Sequence, residues 1–268
     1  MDLPDAVGHP AFPSTLESLI RNHGGSILDI ARESLEREDV LEFEAPRACL
    51  LSPVLPSSIR SFDAFGTQVG SSSRAPLYSR WEHRAVLGPR EEVEWPVYSD
   101  QLDVEAQMGC VVGSGGRDLT GDDARGCVFG YVLVAGWVAR DVEREEPDRR
   151  VGPGKSRGVG VSLGPWVATA DELDPAAVEL VLRVDGDVWG EGMAKDMRWS
   201  FPQLLAYASL GEDVLPGDLL VSGPFAGGRG VDTGQLPAEG TTVELEGGGL
   251  GMLRVRIGAS ASPRASFD

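Results

Sequence analysis

The sequence predicts an α+β domain that is mainly β, on three observations. Short apolar runs broken by glycine or proline recur from Arg60 onward, helix-period stripes are confined to a few stretches, and 35 Gly with 18 Pro favour tight turns over long helices. A chain of 268 residues is long enough for one large domain with a sizeable core and an appendage. The expected organisation is a small helical and extended N-terminal appendage over residues 1–56, a main domain over 57–260 and a tail over 261–268.

The elements follow in order. Ser14 is an N-cap candidate with Glu17 at the capping-box spacing, and Leu16, Leu19 and Ile20 share one face, so a helix starts there. Ile27, Ile30, Ala31 and Leu35 form a second apolar stripe and predict another short helix. Residues 42–56 read as a proline-punctuated connector carrying a short strand at Ala48–Leu51. Runs at Gly109–Gly113, Val128–Val134 and Glu179–Val184 predict strands, while 120–127 and 201–210 give the best later helix signals. Asp185-Gly186 between alternating residues predicts a tight hairpin, and Leu215-Pro-Gly-Asp218 a Pro-Gly turn. The charged stretch 140–155 and the glycine-rich stretch 223–234 are expected to be mobile loops. No internal repeat is visible.

Composition excludes several classes of function. With 42 acidic and 24 basic residues the net charge is -18, which repels phosphate backbones and anionic lipid, so no nucleic-acid or membrane partner is expected. No apolar run reaches spanning length, and Met1-Asp-Leu-Pro-Asp-Ala6 lacks the features of a signal peptide; the cytoplasm is the expected location. Cys49, Cys110 and Cys127 form no CxxC or Cys/His cluster and read as small core hydrophobes.

Several segments in one order carry a family likeness: Leu163-Gly-Pro-Trp-Val-Ala-Thr-Ala-Asp-Glu-Leu173, Val184-Asp-Gly-Asp187, Asp196-Met197, Phe201-Pro-Gln-Leu-Leu-Ala-Tyr207, Leu215-Pro-Gly-Asp218 and Ser222-Gly-Pro-Phe-Ala-Gly227. The chain resembles the fumarylacetoacetate hydrolase (FAH) superfamily. The resemblance implies layered mixed β-sheet around a pocket, a homodimer, and small-molecule substrates of the acylpyruvate, 1,3-diketone and oxo-acid class. It also implies a Mg²⁺ or Ca²⁺ ion on carboxylates, acting as a Lewis acid.

The ligand positions that the resemblance marks are largely rewritten. The Asp of an Arg-Asp-Phe motif is Ser61, the Glu-x-Glu pair is Glu105 and Gln107, and the Asp before the Ala-Arg-Asp motif is Gly136, so Glu105 alone keeps its acid. Asp63 or Asp103 would need a change of register to substitute. The Glu-x-His pair that activates water falls on Gly66-Thr67-Gln68, and a Gln that polarises the substrate carbonyl is Glu143.

No metal and no cofactor are therefore expected. Lys155, in Lys155-Ser156-x-Gly158, and Glu105 are the candidate catalytic residues if they share a pocket; the competing reading is a structural salt bridge closing the former metal site. Ser61, Gln68, Arg74, His83, Gln107, Glu143 and Ser222 are the candidate substrate-binding residues, with Arg80 as an alternative to Arg74. The functional expectation is a metal-independent lyase, isomerase, decarboxylase or cyclase acting on an oxo- or enol-bearing small molecule in specialised metabolism. The alternatives are a metal-dependent C–C hydrolase with relocated ligands and a non-catalytic binding or scaffold protein.

Overall fold

All 11 residues from Leu102 to Val112 are buried, as expected of a central strand covered on both faces. The computed structural model describes residues 15–23, 26–35, 50–66, 74–148, 150, 152–260 and 262. The chain begins with helices α1 (Leu16–His23) and α2 (Ser26–Leu35) and strands β1 (Ile59–Phe62), β2 (Tyr78–Trp81), β3 (Val86–Leu87), β4 (Glu92–Val93) and β5 (Leu102–Val112). Helix α3 (Gly121–Gly126), strand β6 (Val128–Ala139), helix α4 (Arg140–Asp148) and strands β7 (Gly160–Thr169), β8 (Glu179–Val184) and β9 (Asp187–Met193) follow. Helix α5 (Phe201–Ala208), strand β10 (Leu219–Val221), helix α6 (Gly230–Thr233) and strands β11 (Thr242–Gly247) and β12 (Gly251–Ile257) complete it.

Among the described residues the strands form a seven-stranded sheet in the order β2-β1-β10-β5-β6-β7-β3 and a five-stranded sheet in the order β4-β12-β11-β8-β9. Both are mixed: β1 runs parallel to β10, β3 to β7 and β4 to β12, and the other pairs are antiparallel. The mainly β, α+β architecture expected from the sequence is therefore present.

Period-two alternation on β5 divides its side chains between two cores. Leu102, Val104, Ala106, Met108 and Cys110 share one core with Leu180, Leu182, Val243, Leu245 and Leu253 of the five-stranded sheet. On the opposite face Val111 joins Val132, Val134 and Val138 of β6, Val161 and Leu163 of β7, and Ile20 of α1. Ile20 is 1% exposed, so its burial contributes about 2 kcal/mol toward docking α1 on the sheet. Asp103, Glu105 and Gln107 lie on that same second face and are buried.

Local devices match the sequence in several places. β8 and β9 form the expected hairpin, with Asp185 and Gly186 at φ 51° and 89°. Thr120 and Asp123 make a reciprocal capping box on α3, and the Gln203 side chain accepts from the Ser200 amide at 2.8 Å at the start of α5. Gly223, at φ +77°, is required because a Cβ there would lie 2.1 Å from the Phe62 carbonyl oxygen.

Other expectations are corrected. The stretch 140–155, read as a mobile loop, contains α4, and Lys155–Arg157 is a 3-10 turn. Asp141 in the first turn of α4 accepts from Ser99 Oγ at 2.5 Å and from the Asp100 amide at 2.8 Å. Glu146 accepts from the Gly154 and Ser156 amides at 3.0 and 3.1 Å and from Ser156 Oγ at 2.5 Å. These tertiary ties, rather than an apolar stripe, hold α4 in place. Leu50 and Leu51 are exposed and outside any strand; the rest of the expected 48–51 strand, and Ser14, lie outside the described residues. No described helix is long and apolar enough to cross a membrane.

Candidate functional site

Period two places Asp103, Glu105 and Gln107 side by side on β5, and Gly136 of β6 is the register partner of Glu105. Glu105 is 1% exposed and lies between two guanidinium groups. Arg157 Nη1 donates to Glu105 Oε2 at 2.6 Å; Arg140 Nη2 lies 3.0 Å from Oε1 but is not aligned for a hydrogen bond. Gln107 Nε2 also donates to Glu105 Oε2 at 3.3 Å, and Ser61 Oγ of β1 donates to Gln107 Oε1 at 3.4 Å.

Each arginine is held by further carboxylates. Arg140 Nε donates to Asp103 Oδ2 at 2.7 Å, and Asp103 Oδ1 accepts from the Gly230 amide at 2.9 Å, tying the start of α6 to the same group. Glu143, one turn along α4 from Arg140, accepts from Arg140 Nη1 at 2.5 Å and from Arg157 Nη2 at 2.7 Å. Arg157 also stacks on the Trp81 indole, 4.8 Å from its centroid. The far edge of that indole abuts Gly136, where an added Cβ would stand 2.1 Å from Trp81 Cη2 and 2.8 Å from Gln107 Nε2.

Burial alone would raise the Glu105 carboxyl pKa, but the Arg157 and Arg140 charges outweigh it and hold the group below the usual carboxylate range. Asp103 is shifted the other way: burial raises it, and the Arg140 interaction only partly offsets this. Partial burial likewise works to raise Asp141 and Glu146, and the hydrogen bonds from Ser99 and Ser156 more than compensate, leaving both lowered.

These shifts set a pH dependence. Glu105, Asp141 and Glu146 contribute stability that is present above their unfolded values of about 4 and is lost as pH falls through their lowered folded values. Asp103 acts in the opposite sense, gaining its proton first. The thermal midpoint is therefore expected to hold or rise slightly on mild acidification as Asp103 takes its proton, and to fall steeply below about pH 4 as the other three carboxylates lose their charge; a midpoint that keeps rising below about pH 4 would contradict this assignment.

The structure separates the two residues expected to act together. Lys155 is exposed, with Nζ 4.1 Å from the centroid of the Tyr98 ring, and Arg157, two residues on, pairs with Glu105. Glu105, Ser61, Gln107 and Glu143 do come together. Ser222 is buried as a backbone clamp, its hydroxyl accepting from the Met108 amide at 3.1 Å and donating to the Gly223 carbonyl at 2.7 Å. His83 and Arg74 are exposed, and His83 lies 3.9 Å from Glu82. Gln68 lies outside the described residues. Asp103 needs no change of register to join the cluster, because it stands two residues from Glu105 on the same face.

Mg²⁺ and Ca²⁺ require several oxygen ligands, chiefly carboxylates. Among the described residues no three His, Cys, Asp or Glu side chains are placed to hold a metal ion. The corresponding positions here carry Ser61, Glu105, Gln107 and Gly136, and the single acid already faces two guanidiniums. The residues present do not fit the ion.

The family model described as fumarylacetoacetate (FAA) hydrolase C-terminal matches residues 66–258. The chain belongs to the fumarylacetoacetate hydrolase family. It is 34% identical over 137 residues to the 2,4-didehydro-3-deoxy-L-rhamnonate hydrolase of Sphingomonas sp. (strain SKA58), covering 51% of this chain and 48% of that protein. It is 28% identical over 178 residues to the oxaloacetate tautomerase of Bacillus subtilis, covering 66% and 57%. A solved fumarylacetoacetate hydrolase from Exiguobacterium antarcticum superposes with a TM-score of 0.74 at 23% identity, covering 92% and 89%, which establishes the shared fold. The chain spans 48–62% of the length of the first curated relatives it matches.

Within this family frame, sequence reasoning missed Arg157, Arg140 and Trp81, and set Asp103 aside on register. Arg157 occupied the unassigned position of Lys155-Ser156-x-Gly158, and Asp103 was visible from its period-two spacing to Glu105. Trp81 carried no local signal, since its role depends on the contact with Gly136 across the sheet.

Proposed function

We propose that the protein is a metal-independent enzyme that shifts protons on an oxo- or enol-bearing small molecule, with tautomerisation as the simplest case. The observation that carries this reading is the pair of guanidiniums on Glu105, at 2.6 and 3.0 Å, in the place where the family resemblance puts a divalent ion. A fixed cation in a buried setting lowers the free energy of an enolate without any need for activated water. Arg157 then takes the part that the sequence suggested for Lys155, and Glu105, held ionised, fixes the guanidiniums. The family resemblance adds a homodimer to this reading, and the sequence adds a cytoplasmic location. The reading draws support from the name of the oxaloacetate tautomerase among the relatives.

Oxaloacetate, named for the Bacillus subtilis relative, is a suitable first probe. The protein is expected to accelerate its keto–enol exchange, followed by ultraviolet absorbance, to the same extent with EDTA as without. Activity that vanishes on chelation and returns with Mg²⁺ or Ca²⁺ would restore the hydrolase-type metal reading. A non-catalytic binding or scaffold role is favoured by one specific observation, the burial of Ser61, Trp81, Glu105, Gln107, Arg140 and Arg157. Ligand binding without turnover across oxo acids and 1,3-diketones would select it.

A further inference from the structure

Glu143 differs from the groups it contacts. Its side chain is 27% exposed, against 5% for Arg140 and 8% for Arg157, and its two oxygens are divided between the two guanidiniums. On their inner side the same guanidiniums face Glu105. Two carboxylates thus enclose one pair of cations: the inner is fixed on β5, and the outer is carried on α4 by a partly exposed glutamate side chain.

A second, independent observation concerns an unused donor. Arg157 Nε is buried and has no hydrogen-bond acceptor, whereas Arg140 Nη2, 3.0 Å from Glu105 Oε1, is ion-paired without an aligned hydrogen bond. Buried donors left unmade are costly and are normally satisfied. With Glu143 seated, the pair still has hydrogen-bonding capacity to spare.

We propose that Arg140 and Arg157 form an anion-binding fork, that Glu143 occupies it as an internal stand-in for ligand, and that the external ligand is a small planar carboxylate of the 2-oxo or enol acid class. The assignment rests on the proposed reaction for its ligand class and on the geometry for its location. Guanidinium pairs match planar carboxylates by parallel N–H···O bonds. An incoming carboxylate must displace Glu143, so the resting protein binds weakly, and removing that side chain lifts the competition.

Oxalate, a planar dicarboxylate, is the probe, titrated by isothermal calorimetry in the presence of EDTA. Glu143→Ala is expected to bind oxalate at least about tenfold more tightly than the unaltered protein, and Trp166→Phe, at an exposed site, to leave the affinity unchanged. The gain should disappear when Arg157→Gln is added. A folded Glu143→Ala protein that binds oxalate no better than the parent, a gain that survives Arg157→Gln, or tighter binding of inorganic phosphate than of oxalate would each overturn the proposal. Should Glu143→Ala not fold, the equally sized Glu143→Gln is expected to shift affinity in the same direction. Tighter oxalate binding without oxaloacetate turnover would keep the fork and remove the enzymatic reading; turnover with unchanged oxalate affinity would do the reverse.

Discussion

Replacing Arg157 with alanine is expected to destabilise the protein by about 3–5 kcal/mol, measured by denaturant unfolding. Glu105 is 1% exposed and would keep its charge at the centre of the seven-stranded sheet, with the misaligned Arg140 as its remaining cation. Losing one partner of a buried pair costs far more than the pair is worth, because the survivor stays desolvated. Glu143 would also lose one of its two guanidiniums, although its partial exposure makes that loss small. Neutralising the survivor provides the control: Arg157→Ala combined with Glu105→Gln should regain a substantial part of the lost stability. A single variant within about 1 kcal/mol of the parent would show that Glu105 is satisfied by some other group.

Gly136→Asp, which places an acid where the family resemblance puts a ligand, is expected to cost more than about 3 kcal/mol and to bring no divalent-ion binding. Its Cβ would stand 2.1 Å from Trp81 Cη2, and its carboxylate would enter a buried space next to Glu105. If the indole is the obstacle, Trp81→Ala should relieve part of the penalty, so that the double variant is more stable than the sum of the two single losses predicts. Double-mutant unfolding energies give that coupling, expected to exceed about 1 kcal/mol for groups in direct contact. A Gly136→Asp protein as stable as the parent would show that Trp81 yields easily and that there is room for an acid at position 136.

Much of the fold was legible because its signals are local. Asp185-Gly186 specifies its own hairpin, the capping partners Thr120 and Asp123 lie three residues apart, and the apolar spacing of Leu16, Leu19 and Ile20 requires no knowledge of the partner surface. The neighbourhood of Glu105 and Gln107 was legible for the same reason, since alternation on one strand places both on one face. α4 was not, because its charged sequence has no apolar stripe and its stability comes from Ser99, Asp100, Gly154 and Ser156, none of which is adjacent to it in sequence. The pairing of Lys155 with Glu105 was not met for a reason of direction: within one short 3-10 turn, Lys155 faces water and Arg157 faces the sheet. Reading which of two neighbouring cations points inward requires the turn itself.

The notch at Gly136 also carries a historical implication. Because the Trp81 ring leaves no room there for even a methyl group, a tryptophan at 81 and an aspartate at 136 exclude each other, and a lineage passing between them must do so in one order. The small residue has to arrive before the large one, and on any way back the indole must leave first.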